Sequence, residues 1–149
     1  FRMYRNSEHY FDPTAGEALS NVRREEIKRK KMERGEWFMK WVYIASPYRG
    51  EVEINTMRAK RYARFAARQS VVPICPHIYL TQFLDDNIAE EREAGLYLGI
   101  QMLKRCSEMW VFGSKLSEGM AKEIKFAKKN NIPIRYFDHS CKEVKQHGN

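Results

Sequence analysis

Four short apolar runs, separated by longer amphipathic stretches, constrain the fold of this chain more than any other feature. The runs are WVYIAS (41–46), SVVPIC (70–75), EMWVFG (108–113) and PIRYF (133–137). The first is β-branched and aromatic without a polar break, which is typical of a strand buried on both faces. Helical patterns fill the intervals, the first of them capped by Asn55. The alternation predicts an α/β fold, in which a doubly wound, Rossmann-like or flavodoxin-like parallel sheet of four to five strands is flanked by helices.

The order of the elements also predicts where a ligand would bind. Pro73 in the second run indicates an edge strand or a strand end. Residues 77–86 (HIYLTQFLDD) fit a short helix or an irregular segment, and a long helix is predicted over 89–105. In doubly wound folds the ligand crevice lies outside the C-terminal ends of the strands. The loops at 46–53 and 113–119 follow two such ends, so we expect the candidate site between them.

The first forty residues have a different character from the rest. Asp12 and Pro13 predict the start of a helix over about 14–34, with Asp12 as its N-cap. The apolar stripe of this helix is too thin for a core helix. We interpret it as an arm that packs across the domain or onto a neighbouring subunit. Nucleic-acid contact through RREEIKRKK is the alternative, but the interleaved acids argue against it.

Composition limits the classes of protein that this chain can belong to. Its 149 residues suggest one globular domain, and the net charge of +8 favours anionic partners. We divide the chain into an arm (1–40), an α/β domain (41–138) and a loose polar tail (139–149). The N-terminus is polar and no apolar run approaches the roughly 20 residues of a membrane span. Three cysteines fit a reducing compartment, so we expect a cytoplasmic protein.

The cysteines and histidines do not have the spacing of a metal site. The segments Cys75-Pro-His77 and His139-Ser-Cys141 lack the usual CxxC or HxxxH pattern of zinc ligands. We therefore predict no metal site and no cofactor.

The segment SEGMAKEIKFAKKNNIPI contains the most informative helix of the chain. Ser117 is a good N-cap, and the free N–H groups of a first helical turn form an anion site. Gly119 removes a side chain where a ligand would approach the backbone, although Ser-x-Gly also suits an ordinary capped helix. At 100° per residue Glu123 lies on the shoulder between the core-facing stripe and solvent. Partial desolvation there would raise the pKa of its carboxylate, whereas a boundary glutamate paired with a nearby cation is the alternative.

The loop SPYRG offers complementary groups. Arg49 is suited to bidentate contact with a phosphate, and Tyr48 to stacking on a base or ribose. A loop that is simply exposed to solvent is the other interpretation.

These motifs together resemble the nucleoside 2-deoxyribosyltransferase superfamily over about residues 41–137. The residues that carry the resemblance are YIASPYRG, the Trp-Val-Phe-Gly strand and Ser117-x-Gly119-x-x-x-Glu123-x-x-x-Ala127. The loop chemistry is most similar to that of the deoxynucleoside 5′-monophosphate N-glycosidases. The resemblance implies that Glu123 attacks the anomeric carbon of a nucleotide, in a homo-oligomer of two or more subunits. It also implies a set of substrate- and phosphate-binding residues: Ser46, Tyr48, Arg49, Gly50, Ser117, Gly119 and Met120.

One position departs from the family pattern. Family enzymes carry an aspartate about eight residues before the acid that opens the third strand, and here Gly99 and Ser107 stand at those two positions. Candidates to assist in its place are His77, Asp85, Asp86, Glu91 and Glu93. The leading hypothesis is a hydrolase or transferase that cleaves the N-glycosidic bond of a (deoxy)nucleotide. The alternatives are a non-catalytic nucleotide binder and an interaction module that assembles through its arm.

Overall fold

The computed structural model describes residues 13–35 and 38–145. The chain divides into two compact units, residues 1–38 and residues 39–149. In the first unit a single helix, α1, spans Pro13–Glu33 and begins at the proline that the sequence predicted. Its predicted N-cap, Asp12, lies outside the described residues. None of the helices in the described ranges is both long and apolar enough to cross a membrane.

Ion pairs rather than apolar contacts characterise the surface of α1. Three pairs link its own side chains at helical spacing: Lys28–Glu25, Arg29–Glu33 and Lys30–Glu26. Exposed pairs of this kind contribute little to stability, because solvent screens the attraction between the charges. The larger apolar side chains of the helix are exposed, namely Leu19, Val22, Ile27 and Met32. The thin stripe that the sequence indicated is therefore too sparse to form a core within this unit.

The second unit is a mixed α/β domain. Its strands are β1 (Trp41–Ala45), β2 (Val72–Ile74), β3 (Glu108–Phe112), β4 (Ile134–Phe137) and β5 (Glu143–Val144). Its helices are α2 (Val52–Arg68), α3 (Pro76–Tyr79), α4 (Ala89–Leu103) and α5 (Glu118–Lys129), with a 3-10 turn at Leu80–Gln82. The strands form one five-stranded sheet in the order β2-β1-β3-β4-β5. The first four are parallel, and the order is consistent with the doubly wound layout that the sequence predicts.

Alternating side chains of the central strands form a core on each face of the sheet. One core joins Val42, Ile44, Trp110 and Phe112 of the strands to Tyr62 and Ala66 of α2. The other joins Tyr43, Ala45, Met109 and Val111 to residues of α4 and α5, including Leu103, Met120, Ile124 and Ala127. Both faces of β1 and β3 are covered by apolar side chains, which is why polar residues do not interrupt these two runs.

The structure corrects two sequence predictions at the ends of elements. The tail after Asp138 was expected to be loose, but Glu143 and Val144 pair antiparallel with β4. Arg135 fixes this edge through two hydrogen bonds to the Glu143 carboxylate, of 2.9 and 2.7 Å. Two residues are too short to show a strand pattern in the sequence, so only the partner strand reveals them.

The second correction concerns the start of α2. The sequence predicted Asn55 as its cap, yet the helix begins at Val52 after Glu51. Asn55 lies in the first turn and is buried. Its amide nitrogen donates to the backbone oxygens of Tyr48 and Arg49, each at 3.1 Å. The residue therefore stabilises the loop before the helix rather than the helix terminus, as a polar side chain with local backbone partners can.

Candidate active site

A cavity of about 330 Å³ opens beyond the C-terminal ends of the parallel strands. Its lining comes from the loop after β1, the α3 region, one face of α4 and the start of α5. Most of the residues singled out in the sequence meet here, namely Ser46, Tyr48, Arg49, His77, Asp86, Glu91, Ser117, Gly119, Met120 and Glu123. This volume is in the range of small-molecule sites, roughly 300–1,000 Å³.

The remaining candidates lie beside this cavity. Gly50 and Asp85 line an adjoining depression that shares Tyr48, Arg49 and Asp86 with the main pocket. Glu93 lines a shallow groove on the other side, between α4 and α5, which also borders Glu123. The structure therefore groups the predicted residues around one opening but leaves these three outside the main cavity.

Glu123 is held by a hydrogen bond that the sequence did not indicate. The Tyr43 hydroxyl of β1 donates to Glu123 Oε1 at 2.6 Å. Burial raises the pKa of the Glu123 carboxyl from 4.5 to about 7, although the hydrogen bond from Tyr43 lowers it. Burial also raises the pKa of Tyr43 well above its ordinary value, so the phenol keeps its proton. The pair is a desolvated carboxylate with one neutral donor rather than an ion pair.

Gly99 provides the space that this pair occupies. A Cβ atom at position 99 would lie 3.0 Å from the Tyr43 hydroxyl oxygen and 3.7 Å from Glu123 Oε1. Position 99, where the family that the motifs resemble carries an aspartate, therefore lies next to Glu123. In this chain the neighbouring space is filled by the Tyr43 hydroxyl instead. A Cβ atom at position 99 would therefore require the Tyr43 hydroxyl to shift by a few tenths of an ångström.

His77 is a neutral group in the wall of the pocket. Its Nε2 lies 3.1 Å from Ser46 Oγ and 3.7 Å from Cys75 Sγ. Burial lowers the pKa of His77 from 6.5 to about 4, so the imidazole is uncharged near pH 7. It can exchange hydrogen bonds with a ligand, but it carries no positive charge with which to bind an anion. Among the described residues, no three His, Cys, Asp or Glu side chains are grouped closely enough to hold a metal ion.

Two sets of contacts hold the loop after β1: hydrogen bonds from Asn55 and an ion pair with Asp86. Asn55 holds the carbonyl groups of Tyr48 and Arg49, as described above. The Arg49 Nε atom forms an ion pair with Asp86 Oδ2 at 3.0 Å, which links this loop to the segment after the 3-10 turn. Gly50 has a φ angle of +90°, a conformation that L side chains rarely adopt. The loop geometry therefore depends on Asn55 and Gly50 as well as on Tyr48 and Arg49, which line the cavity.

The start of α5 matches its prediction in part. Ser117 caps the helix by accepting a hydrogen bond from the backbone N–H of Met120 at 3.2 Å. A Cβ atom at Gly119 would lie 3.3 Å from Leu96 Cδ2, so this glycine permits close approach between α5 and α4. The first helical residue is Glu118, whose carboxylate pairs with Lys122 at 3.0 Å. A negative charge thus already stands at the helix end that would attract an anion.

Three residues of the site were missed in the sequence: Tyr43, Gly99 as a packing position, and Asn55 as a loop anchor. Tyr43 lies in an apolar strand and looks like a core aromatic. Only the contact between β1 and α5, 80 positions apart in sequence, places its hydroxyl beside Glu123. The sequence offered one indication of such a contact, which was the position of Glu123 on α5. A residue at the border between the core-facing stripe and solvent is expected to face the end of a strand.

Comparisons with known proteins place these observations in a family. A family model described as "Domain of unknown function (DUF7768)" matches residues 40–137. No curated protein matches the chain. A solved structure of a 2-deoxyribosyltransferase from the psychrotolerant bacterium Bacillus psychrosaccharolyticus is similar to 70% of this chain and 77% of its own, with a TM-score of 0.51 and 16% sequence identity. At that level of identity the likeness shows a shared fold alone.

Proposed function

Because this chain belongs to the DUF7768 family, whose description carries no activity, we propose a function from the pocket itself. The protein cleaves the N-glycosidic bond of a nucleoside or nucleotide, with Glu123 as the nucleophile. The observation that carries this proposal is the desolvated Glu123 carboxylate, hydrogen-bonded to Tyr43 in a cavity beyond the strand ends. The fold shared with a 2-deoxyribosyltransferase supports nucleosides as the class of substrate.

The chemistry follows from the state of the carboxylate. Tyr43 binds Oε1, and within the described residues no hydrogen bond engages Oε2, so this oxygen is available for attack. A new bond forms between Oε2 and the anomeric carbon while the C–N bond breaks, and its electron pair leaves with the base. Water or a second base then attacks the same carbon and releases Glu123, which gives hydrolysis or transfer with retained configuration.

A carboxyl group that titrates near neutrality is suited to both steps. When ionised it is a stronger nucleophile than an ordinary glutamate, and when the intermediate breaks down it leaves as a carboxylate that accepts the Tyr43 hydrogen bond. The Tyr43 hydrogen bond keeps the side chain in one orientation throughout, which reduces the entropic cost of reaching the attack geometry.

The rest of the pocket provides contacts for the sugar and its 5′ substituent. In this proposal Ser117 and Gly119 at the start of α5, with Arg49 of the loop, bind a 5′-phosphate. Arg49 is bound to Asp86 in the free protein, so a phosphate would have to replace this carboxylate. Ser46, Tyr48 and Met120 complete the walls around the sugar and base, and Gly50 lies in the loop beside them. His77 and Asp86 are the candidate residues to assist in positioning the sugar.

One observation favours a second candidate function, a non-catalytic nucleotide binder. Gly99 stands where the enzymes that the motifs resemble carry an aspartate, and the phenol of the neighbouring Tyr43 keeps its proton near neutral pH. A protein that kept the pocket and lost this acid would bind the ligand without cleaving it.

The two functions are separated by assaying turnover and binding on the same samples. We expect the wild-type protein to release free base from at least one member of a panel of nucleosides and 5′-monophosphates. Glu123→Gln should lower this rate about 10³-fold or more while the substrate still binds. Glu90→Gln removes a carboxylate from the exposed first turn of α4, outside the pocket, and serves as the matched control.

Mass spectrometry of acid-quenched reactions provides a direct test of the covalent step. A sugar adduct on the peptide that contains Glu123 supports the nucleophile. Equal turnover by wild type and Glu123→Gln would contradict it. Tight binding in calorimetry, with intact ligand recovered afterwards, would instead support the binder.

A further inference from the structure

Carboxylates outnumber cationic side chains in the lining of the pocket. Four carboxylates border it, from Asp86, Glu91, Glu118 and Glu123, against the two guanidinium groups of Arg49 and Arg92. His77 adds no positive charge, because burial keeps its imidazole neutral near pH 7. The chain as a whole carries a net charge of +8, so the excess charge of this cavity is opposite in sign to that of the protein. A cation would be attracted to the carboxylates of this cavity.

Three of these carboxylates already accept contacts from donors of the protein. Asp86 pairs with Arg49 and Glu118 pairs with Lys122, each at 3.0 Å. Glu91 accepts a hydrogen bond from the backbone N–H of Asp85. The Lys122 ammonium also holds the pKa of Glu118 below its ordinary value. The oxygen that each of the three presents to its partner is therefore not free to serve a departing base.

Two neutral side chains, Tyr43 beside the reacting carboxylate and His77 in the pocket wall, are also engaged by other residues of the protein. Tyr43 directs its proton to Glu123 Oε1 at 2.6 Å, and its phenol does not ionise near neutrality. The Nε2 atom of His77 faces Ser46 Oγ at 3.1 Å. Position 99, beside the reacting carboxylate, has no side chain at all. Around Glu123 and position 99, then, the described contacts include the nucleophile but no group with a free proton for the leaving nitrogen.

A neutral purine or pyrimidine leaves the sugar readily only when a nitrogen or oxygen of the ring is protonated. A ring that is already cationic, such as an N-glycosylated pyridinium, needs no proton, because the departing electron pair neutralises its own charge. We propose that the substrate of this pocket is a glycoside whose leaving group is a cationic heteroaromatic ring of the pyridinium type. The proposal rests on the N-glycosidic cleavage proposed above and names the chemical class of its substrate.

The step balances without any further reactant. Glu123 Oε2 forms a bond to the anomeric carbon, and the bond from that carbon to the ring nitrogen breaks. The electron pair of the broken bond passes to the ring, which leaves as a neutral pyridine. Water then attacks the anomeric carbon, Glu123 leaves as the carboxylate, and the proton of the water passes to solvent. No group of the protein has to donate a proton to the leaving ring.

The same charges would act on binding. In the bound state the ring cation lies near the ionised Glu123 carboxylate in a partly desolvated cavity, where the attraction between opposite charges is much stronger than in water. The neutral pyridine formed by cleavage loses this attraction and is released. The cavity therefore discriminates between substrate and product by charge, although the two rings have nearly the same shape.

Two probes of almost equal size test the binding part directly. The 1-methylnicotinamide cation mimics the leaving group in the substrate, and neutral nicotinamide mimics it after cleavage. At pH 8 we expect the wild-type protein to bind the cation at least about 10-fold more tightly than the neutral ring. Glu123→Gln should reduce this preference to less than about 3-fold, and Glu90→Gln should retain it. Equal binding of the two probes by wild type would overturn the proposal.

Turnover is measured in parallel with two matched ribonucleosides, nicotinamide riboside as the cationic glycoside and inosine as the neutral one. Faster cleavage of nicotinamide riboside, by about 100-fold or more in kcat/KM relative to inosine after subtraction of uncatalysed hydrolysis, supports the proposal. Cleavage of inosine at an equal or higher rate overturns it and leaves the N-glycosidase function standing. Cleavage of neither glycoside, nor of any nucleotide of the wider panel, by folded protein overturns both and leaves only a cation-binding cavity.

Discussion

Glu123 shows how two opposing effects on a single residue decide its chemistry. Burial disfavours the charged carboxylate, while the Tyr43 hydrogen bond favours it, and the balance raises the pKa to about 7. One neutral hydrogen bond therefore does not compensate for the water that the carboxylate loses. The side chain is consequently partly protonated near neutral pH, which an exposed glutamate would not be.

The raised pKa predicts a specific dependence of stability on pH. The folded protein binds a proton at Glu123 more tightly than the unfolded chain, whose carboxyl has a pKa near 4.5. The stability that protonated Glu123 contributes is thus fully present below pH 4.5 and is lost as pH rises through about 7. We expect the loss to be on the order of 3 kcal/mol for the carboxylate relative to the neutral acid.

His77 titrates in the opposite sense and has to be separated from Glu123. Its folded pKa of about 4 lies below the ordinary 6.5, so its contribution rises with pH over that interval. The free energy of unfolding is therefore compared between wild type and Glu123→Gln, by urea denaturation from pH 4.5 to 8. In this difference the contribution of His77 cancels. Wild type should lose stability relative to Glu123→Gln as pH rises, whereas a constant difference would show that the carboxylate is solvated.

At the scale of elements, the contact of α4 with β1 depends on a position without a side chain. Glycine in a helix interior normally costs about 1 kcal/mol relative to alanine. At position 99 a Cβ atom would lie only 3.0 Å from the Tyr43 hydroxyl oxygen, which is buried and bound to Glu123. The steric clash outweighs the helical propensity, because neither the strand nor the phenol ring can move without disturbing the core.

Two substitutions in the same helix test this contact. Gly99→Ala should lower the free energy of unfolding by about 1–3 kcal/mol and displace the Tyr43 hydroxyl from Glu123. Gly95→Ala is the matched control, since its Cβ atom would meet Leu84 Cδ1 at an ordinary 3.8 Å. We expect Gly95→Ala to be neutral or to stabilise by up to about 1 kcal/mol. Equal effects of the two alanines in urea denaturation would contradict the assigned role of position 99.

At the scale of the whole molecule, the sequence predicts the elements better than the contacts between them. The four parallel strands, the cap at Ser117 and the loops around the pocket follow from local patterns of apolar, turn and capping residues. Asn55 was misassigned because a capping residue and a loop anchor have the same local pattern. Strand β5 was missed because two residues carry no periodicity, and Tyr43 because its role depends on a partner 80 positions away. Contacts of this kind arise from tertiary packing, which local patterns do not encode.

The second unit contains all the described residues that line the pocket, as well as the buried residues of both cores. These residues lie between positions 42 and 137. We therefore expect a chain shortened to residues 39–149 to unfold cooperatively and to keep its affinity for ligands of the pocket. Its free energy of unfolding should differ from that of the full chain by no more than about 1 kcal/mol. Urea denaturation and calorimetry on both chains measure these two quantities, with Glu123→Gln in the shortened chain as the control for specific binding.

Light scattering on the same two samples tests the predicted role of the arm in assembly. If residues 1–38 mediate self-association, the full chain forms a dimer or larger oligomer and the shortened chain is a monomer at equal concentration. An oligomer in both samples would place the interface on the α/β domain instead.

Loss of ligand affinity in a shortened chain that still folds would show that the first unit contributes to the site. That result would contradict the assignment of the whole site to residues 42–137, because neither stability nor the core packing would then explain the loss.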